Sequence, residues 1–285
     1  MFDKETQKEI VAKYNSGISS IKLASEYEVT LGKIAYCLKI NNVVMRSNKE
    51  NSKKYHCEDS IFHDIDSHEK AYWLGFIAAD GYVSSGYGKR LGVTLAQKDR
   101  PHLEKLKRFL GYTGEIREYR YSGYADVVGA RLLVASDQIY DDLVSHGVVE
   151  HKSDIIQPPD IDDEYKSSWI LGYFDGDGSL YRTDSYYSLK FIGTDSLLDW
   201  FIEFFVENGI DCAGKPHNKR HKDDAVSYLS FGGVRKVYDI MSLLYQSVPD
   251  SVPMERKYTI YKELKSRLVE QSTLLLDGER PINGV

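Results

Sequence analysis

Cysteine is scarce: Cys37, Cys57 and Cys212 stand far apart and are odd in number. That excludes a disulfide framework and fits a reducing cytoplasm. His56, Cys57 and His63 do not make a zinc spacing. No apolar run approaches the length of a membrane span, and the opening MFDKETQKEI has no signal-peptide core, so no membrane partner is expected. No cofactor fingerprint appears, which sets aside a small-molecule enzyme. An excess of basic charge is missing too. The net charge of −6 argues against a markedly basic domain, the strongest composition signal of nucleic-acid binding.

The charge is unevenly placed, however. Residues 1–56 hold ten Lys or Arg against six acids, 10 − 6 = +4, which leaves −6 − 4 = −10 for the remainder. With 42% hydrophobic and 28% charged residues, the 285-residue chain has core enough for two or three small domains.

The +4 segment reads as three short helices. Residues 3–16 are amphipathic, with Ile10, Val11 and Tyr14 on one face; Asn15-Ser16-Gly17 ends the run. A second helix covers 19–27 with Ile21 and Ala24 inward. Thr30 is a suitable N-cap for a third, which buries Ile34 and Leu38 and exposes Thr30, Gly32, Lys33, Tyr36 and Lys39. The run IVAKYNSGISSIKLASEYEVTLGKIAYCLK resembles the helix-turn-helix domains of site-specific recombinases and related regulators. The resemblance implies a domain over 1–45 whose third helix enters a major groove with Lys33 and Tyr36. The polar residues 46–66, including RSNKENSKK, read as a linker.

Two later stretches share one pattern: Tyr72–Tyr82, YWLGFIAADGY, and Trp169–Ser179, WILGYFDGDGS. Each has the character of the end of a buried helix, apolar all round and closed by Asp-Gly, where glycine suits a left-handed position after the helix. Small residues recur four apart, Gly75 with Ala79 and Gly172 with Gly176, so two such helices can pack with their backbones close. That packing sets Asp80 beside Asp177 at the negative ends of both helix dipoles. A divalent cation would relieve the repulsion, and carboxylates with main-chain carbonyls make a hard-cation site.

Both stretches resemble the dodecapeptide motif of the LAGLIDADG homing endonucleases; the first departs in having Ala78 where the family often has an acidic residue. The resemblance covers about residues 68–265. It implies a single-chain, site-specific endonuclease that hydrolyses both strands of duplex DNA, monomeric and cytoplasmic. The implied metal site is Asp80 and Asp177 with the carbonyls of Ala79 and Gly176. It would take Mg²⁺, with Mn²⁺ as substitute and Ca²⁺ supporting binding without cleavage. The family also places a basic residue near each site; Lys152 in HKSD and Lys257 in RKYT match that pattern. The alternative is a non-cleaving regulator or an intron RNA maturase on the same scaffold, and the presence of both aspartates favours cleavage.

The surrounding sequence repeats as well. The order αββαββα runs over residues 67–157 and again over 158–272, with a tail at 273–285; Asp177 and Asp80 lie 177 − 80 = 97 apart. The expected fold is therefore α+β: a pseudo-twofold pair of repeats with antiparallel, saddle-shaped sheets behind a small all-α domain. One face of each sheet is available to DNA. In Glu115–Tyr121, Arg117, Tyr119 and Tyr121 share a face. Arg90, Arg131, Arg182 and Lys190 lie in other strands, and Lys219 and Arg220 in the basic hairpin 215–222. Such side chains suit phosphates and guanine edges.

Overall fold

The computed structural model describes residues 2–45, 55–120, 128–183, 185–212, 218–219 and 226–276. The chain divides into two units, Met1–His56 and Cys57–Val285. Among the described residues no helix is long and apolar enough to cross a membrane.

The first unit is a three-helix cluster: α1 (Lys4–Asn15), α2 (Ser20–Glu26) and α3 (Leu31–Ile40). Asp3 and Ser19 cap the first two, their side chains accepting from the backbone N–H of Thr6 and of Lys22. Thr30 has the extended geometry of an N-cap but no side-chain cap bond. Ile10, Tyr14, Leu23, Ile34, Cys37 and Leu38 form the core. The expectation for α2 is corrected: Ile21 is 70% exposed, and Leu23 takes the inward place. A seven-residue helix touches its neighbours along a narrow stripe, and Leu23 occupies it.

The second unit is mixed α+β, with the expected order in both halves. The first half runs α4 (His68–Asp80), β1 (Gly81–Ser84), β2 (Arg90–Ala96), α5 (Arg100–Phe109), β3 (Arg117–Arg120), β4 (Val128–Ala135) and α6 (Asp137–Ser145). The second runs α7 (Lys166–Asp177), β5 (Ser179–Arg182), β6 (Tyr187–Gly193), α8 (Asp195–Glu207), β7 (Asn218–Lys219), β8 (Ser227–Gly232) and α9 (Val234–Tyr245). α10 (Glu255–Leu276) follows. Each half carries an antiparallel four-stranded sheet, of order β1-β2-β4-β3 and β5-β6-β8-β7.

Alternation along the strands splits each sheet into a helix-covered and an open face. Leu91, Val93 and Leu95 of β2 and Ala130, Leu132 and Val134 of β4 are buried. In the second half Leu189, Phe191, Leu229 and Phe231 take that role, against Phe201 and Phe205 of α8.

The linker expectation is also shortened. Residues 46–54 lie outside the described residues, while 57–66 pack on the first repeat. Phe62 is fully buried against Phe109, Asp59 accepts from the Ser136 hydroxyl, and the Glu58 N–H donates to Leu110. The Phe62 ring supplies the buried apolar contact of this stretch, and the hydrogen bonds hold its backbone and Asp59 in place.

Candidate functional site

α4 and α7 pack against each other through the small residues identified in the sequence. A Cβ added at Gly75 would lie 2.0 Å from the Trp169 carbonyl oxygen; one at Gly172 would lie 1.9 Å from that of Tyr72. The contact is reciprocal, since Trp169 follows Tyr72 by the same 169 − 72 = 97 that separates the glycines. One helical turn further on, a Cβ at Gly176 would be 2.5 Å from the Ala79 Cβ. Only glycine allows such an approach between helix backbones. It explains why α4 is buried all round from Ala71 to Ala78: one face meets α7 and the others meet the repeat's own sheet and helices.

The packing brings Asp80 and Asp177 to adjoining helix ends. Asp80 is half-buried and Asp177 more exposed. Burial, then the charge of Asp177, pushes the Asp80 carboxyl up to about 6, opposed by Lys257 and Lys152. Burial pushes Asp177 up as well, against the same two lysines. The pair is thus held partly against ionisation, as two carboxylates sharing a site are.

Both lysines are buried, and the structure gives them a place that the sequence did not. Lys152, in a short 3₁₀ turn after α6, donates to the carbonyls of Ala79 (3.2 Å) and Gly81 (2.5 Å). Lys257, in the first turn of α10, donates to the carbonyls of Phe174, Asp175 (3.1 Å) and Gly178 (2.6 Å). Each ammonium therefore closes the C-terminal end of a motif helix, satisfying orphan carbonyls and neutralising the dipole. Lys257 uses all three of its donors on main chain. With its donors so engaged, the Lys257 ammonium faces the site as a fixed charge. Burial draws its pKa down to about 8, with Asp175 opposing, and burial also lowers Lys152.

The glycines after the aspartates are corrected too. Gly81 (φ −82°) and Gly178 (φ −75°) are extended, not left-handed. Glycine is needed there for room: a Cβ would lie 2.7 Å from the Ile77 oxygen at Gly81, and 2.5 Å from the Phe174 oxygen at Gly178. The chain leaves the helix directly into a strand.

Asp175 was missed, although the sequence held a signal: an acid in an apolar helix where the first copy has Ala78. It is fully buried, and its Oδ2 accepts from the Tyr72 hydroxyl (2.6 Å) and the Met254 N–H (2.8 Å). Since Tyr72 donates to Asp175, it accepts from His102 Nε2 (3.1 Å), whose pKa burial lowers to about 3. The network ties the two repeats and the start of α10 together behind the aspartates.

The residues expected to meet nucleic acid divide by face. Lys33 and Tyr36 are exposed on α3. Arg90 and Arg131 lie on the open face of the first sheet, Arg117 and Tyr119 beside them on β3; Lys190 is on the open face of the second. Arg182 is corrected. It shares the parity of Leu180 and pairs across with buried Tyr187, on the helix-covered side, where it forms an ion pair with Glu263 of α10. The side chain of Lys219 and all of Arg220 lie outside the described residues.

Among the described residues no three His, Cys, Asp or Glu gather at one point. A cation here has two carboxylates and must draw its other ligands from carbonyls, water or substrate. The donor set fits such an ion: two repelling carboxylates beside the ends of two helix carbonyl ladders, which is hard-oxygen chemistry.

Two antiparallel sheets carried on a close-packed helix pair, with one aspartate ending each helix, define an α+β protein of duplicated repeats. Residues 67–141 match the family model described as LAGLIDADG-like domain. No curated protein sequence matches the chain. Solved structures similar to it include I-SmaMI bound to uncleavable DNA (14% identity, 68% of this chain and 89% of that one, TM-score 0.40). I-GzeII in complex with its DNA target is another (13%, 72% and 92%, TM-score 0.44). A third is the I-LtrWI homing endonuclease bound to target DNA (10%, 73% and 92%, TM-score 0.43). At these scores they carry no weight in assigning the site.

Proposed function

We propose that this protein is a homing-type DNA endonuclease that hydrolyses both strands of a long duplex target, one at each repeat. The observation that carries this is the reciprocal glycine packing, which delivers two aspartates of raised pKa to adjoining helix ends with a buried lysine behind each. A site with two near-equivalent carboxylates suits a substrate with two near-equivalent scissile bonds. The match of the first repeat to a LAGLIDADG-like domain supports the reading.

Asp80 and Asp177 hold divalent ions, Mg²⁺ foremost and Mn²⁺ in its place, while Ca²⁺ supports binding alone. The carbonyls of Ala79 and Gly176 adjoin them as further ligands. When bound, the metal activates water and stabilises charge on the leaving oxygen. Lys152 and Lys257 fix the helix ends and offset the carboxylates' charge. The open sheet faces, with Arg90, Arg117, Tyr119, Arg131 and Lys190, lie along the duplex, and Lys219 and Arg220 add phosphate contacts. Residues 1–45, within the first unit, are a helix-turn-helix module that extends the contact through Lys33 and Tyr36. The protein acts as a monomer on DNA in the cytoplasm.

The test is a cleavage selection on a randomised duplex library with Mg²⁺, followed by Asp80→Asn and Asp177→Asn on the recovered target. Each variant should lose double-strand cleavage while binding the target in Ca²⁺ nearly as wild type. Full cleavage by either variant would overturn the metal-site assignment.

A further inference from the structure

The open faces of the two sheets do not repeat each other, although their frames do. Val83, Leu91 and Val134 align across β1, β2 and β4; Leu180, Leu189 and Phe231 align across β5, β6 and β8. The offset is 180 − 83 = 97 and 231 − 134 = 97, so residues in neighbouring rows can be matched one to one.

In the first half one row reads Tyr82, Gly92, Leu133 and the next reads Thr94, Arg131, Arg117. The matching rows in the second half read Ser179, Lys190, Ser230 and then Ile192, Tyr228, Asn218. Cation and aromatic have changed places. Arg131 corresponds to Tyr228, and Lys190 to Gly92.

Arg131 is also held differently. Its guanidinium lies 3.7 Å from the centre of the Tyr119 ring and 6.0 Å from that of Tyr82, and its Nε donates to the Thr94 hydroxyl at 3.0 Å. Tyr82 in turn covers Gly92, where a Cβ would lie 2.2 Å from its ring. No ion pair or hydrogen bond to another described residue engages the Nη1 and Nη2 groups of Arg131. A guanidinium stacked on one ring and fixed through Nε keeps its two terminal nitrogens as a planar fork, the geometry that pairs with O6 and N7 of guanine. Lys190, 4.5 Å from the centre of the Tyr228 ring, is a point charge without that fork.

We propose that Arg131 reads one guanine in the half-site under the first sheet, that Thr94 and Tyr119 are its positioning residues, and that the second half-site has no symmetric counterpart. This rests on the reading that the open sheet faces meet duplex DNA. The target is accordingly non-palindromic at that pair.

The full chain is used to select from a randomised duplex library in Ca²⁺, as wild type, Arg131→Lys and Thr94→Val. The wild-type profile should hold one strongly guanine position that Arg131→Lys weakens by about ten- to hundredfold while other positions stay as they were. Because lysine keeps the charge, the salt dependence of binding should not change. Thr94→Val should weaken the same position by a smaller factor and no other, a signature that loss of fold would not give. A profile unaltered by Arg131→Lys, or a loss spread over every position, overturns the assignment of Arg131. An equally strong mirrored guanine in the second half-site overturns the asymmetry. A wild type that enriches no sequence overturns the DNA reading and this assignment together.

Discussion

Replacing Asp80 by asparagine should stabilise the fold while it removes the proposed chemistry. A carboxyl raised from 3.8 to about 6 binds its proton more tightly in the folded protein than in the unfolded chain. The sign follows from linkage: its effect on stability is absent below about pH 3.8 and becomes fully unfavourable as pH rises past about 6. At about 1.4 kcal/mol for each tenfold change in proton affinity, the full displacement is worth about 3 kcal/mol. Water reaches this half-buried group, and Lys152 and Lys257 lose a countercharge when it is neutralised. Those two effects reduce the expected gain to about 1–2 kcal/mol at neutral pH. Urea unfolding of wild type and Asp80→Asn without divalent metal, from about pH 4 to about pH 8, measures it. The variant should be the more stable at the alkaline end, and the two should converge at the acid end. Adding Mg²⁺ should then stabilise the wild type more than the variant. Equal stabilities at neutral pH, or a less stable variant, would refute the view that burial and the neighbouring Asp177 charge hold Asp80 against ionisation.

Gly172→Ala places a Cβ 1.9 Å from the Tyr72 carbonyl, where only backbone can yield; urea unfolding should show a loss of about 3 kcal/mol or more, and Gly75→Ala should match it. A loss well under 1 kcal/mol in either would mean that the helices are not so close. Lys257→Met removes the donors to Phe174, Asp175 and Gly178; it should cost about 1–3 kcal/mol and move the pH midpoint of the stability curve upward, as Asp80 and Asp177 lose a countercharge. An unchanged midpoint would separate Lys257 from the aspartates. Removing residues 1–56 should leave a fragment that still unfolds cooperatively, because the remaining unit has its own core. It should bind DNA less tightly over a shorter footprint yet cut at the same position, and an unchanged footprint would detach the three-helix unit from DNA binding.

Much was legible along the chain because it depends on neighbours a few residues apart. Two apolar helices ending in Asp-Gly, glycines four residues from a second small residue, and strand runs such as Arg90–Ala96 and Tyr187–Gly193 are local patterns, and the structure keeps them. The repeat of 97 residues carried the rest of the frame, since equal order in two halves implies equal packing. What only tertiary structure decided are contacts between segments far apart in sequence. Lys152 and Lys257 could be recognised as basic residues near the site, but that their ammonium groups close the motif helices depends on where α6 and α10 come to rest. Arg182 looked like other strand cations; the pairing of β5 with β6 turned it to the helical side, toward Glu263. Asp175 stood in the open in FDGDG, yet its partners Tyr72 and Met254 are 103 and 79 residues away. The sequence by itself set which residues are helical, small or acidic, because those preferences are paid locally. Strand register and helix docking set which of them meet, because a side chain's face and partner are fixed only when distant segments pair.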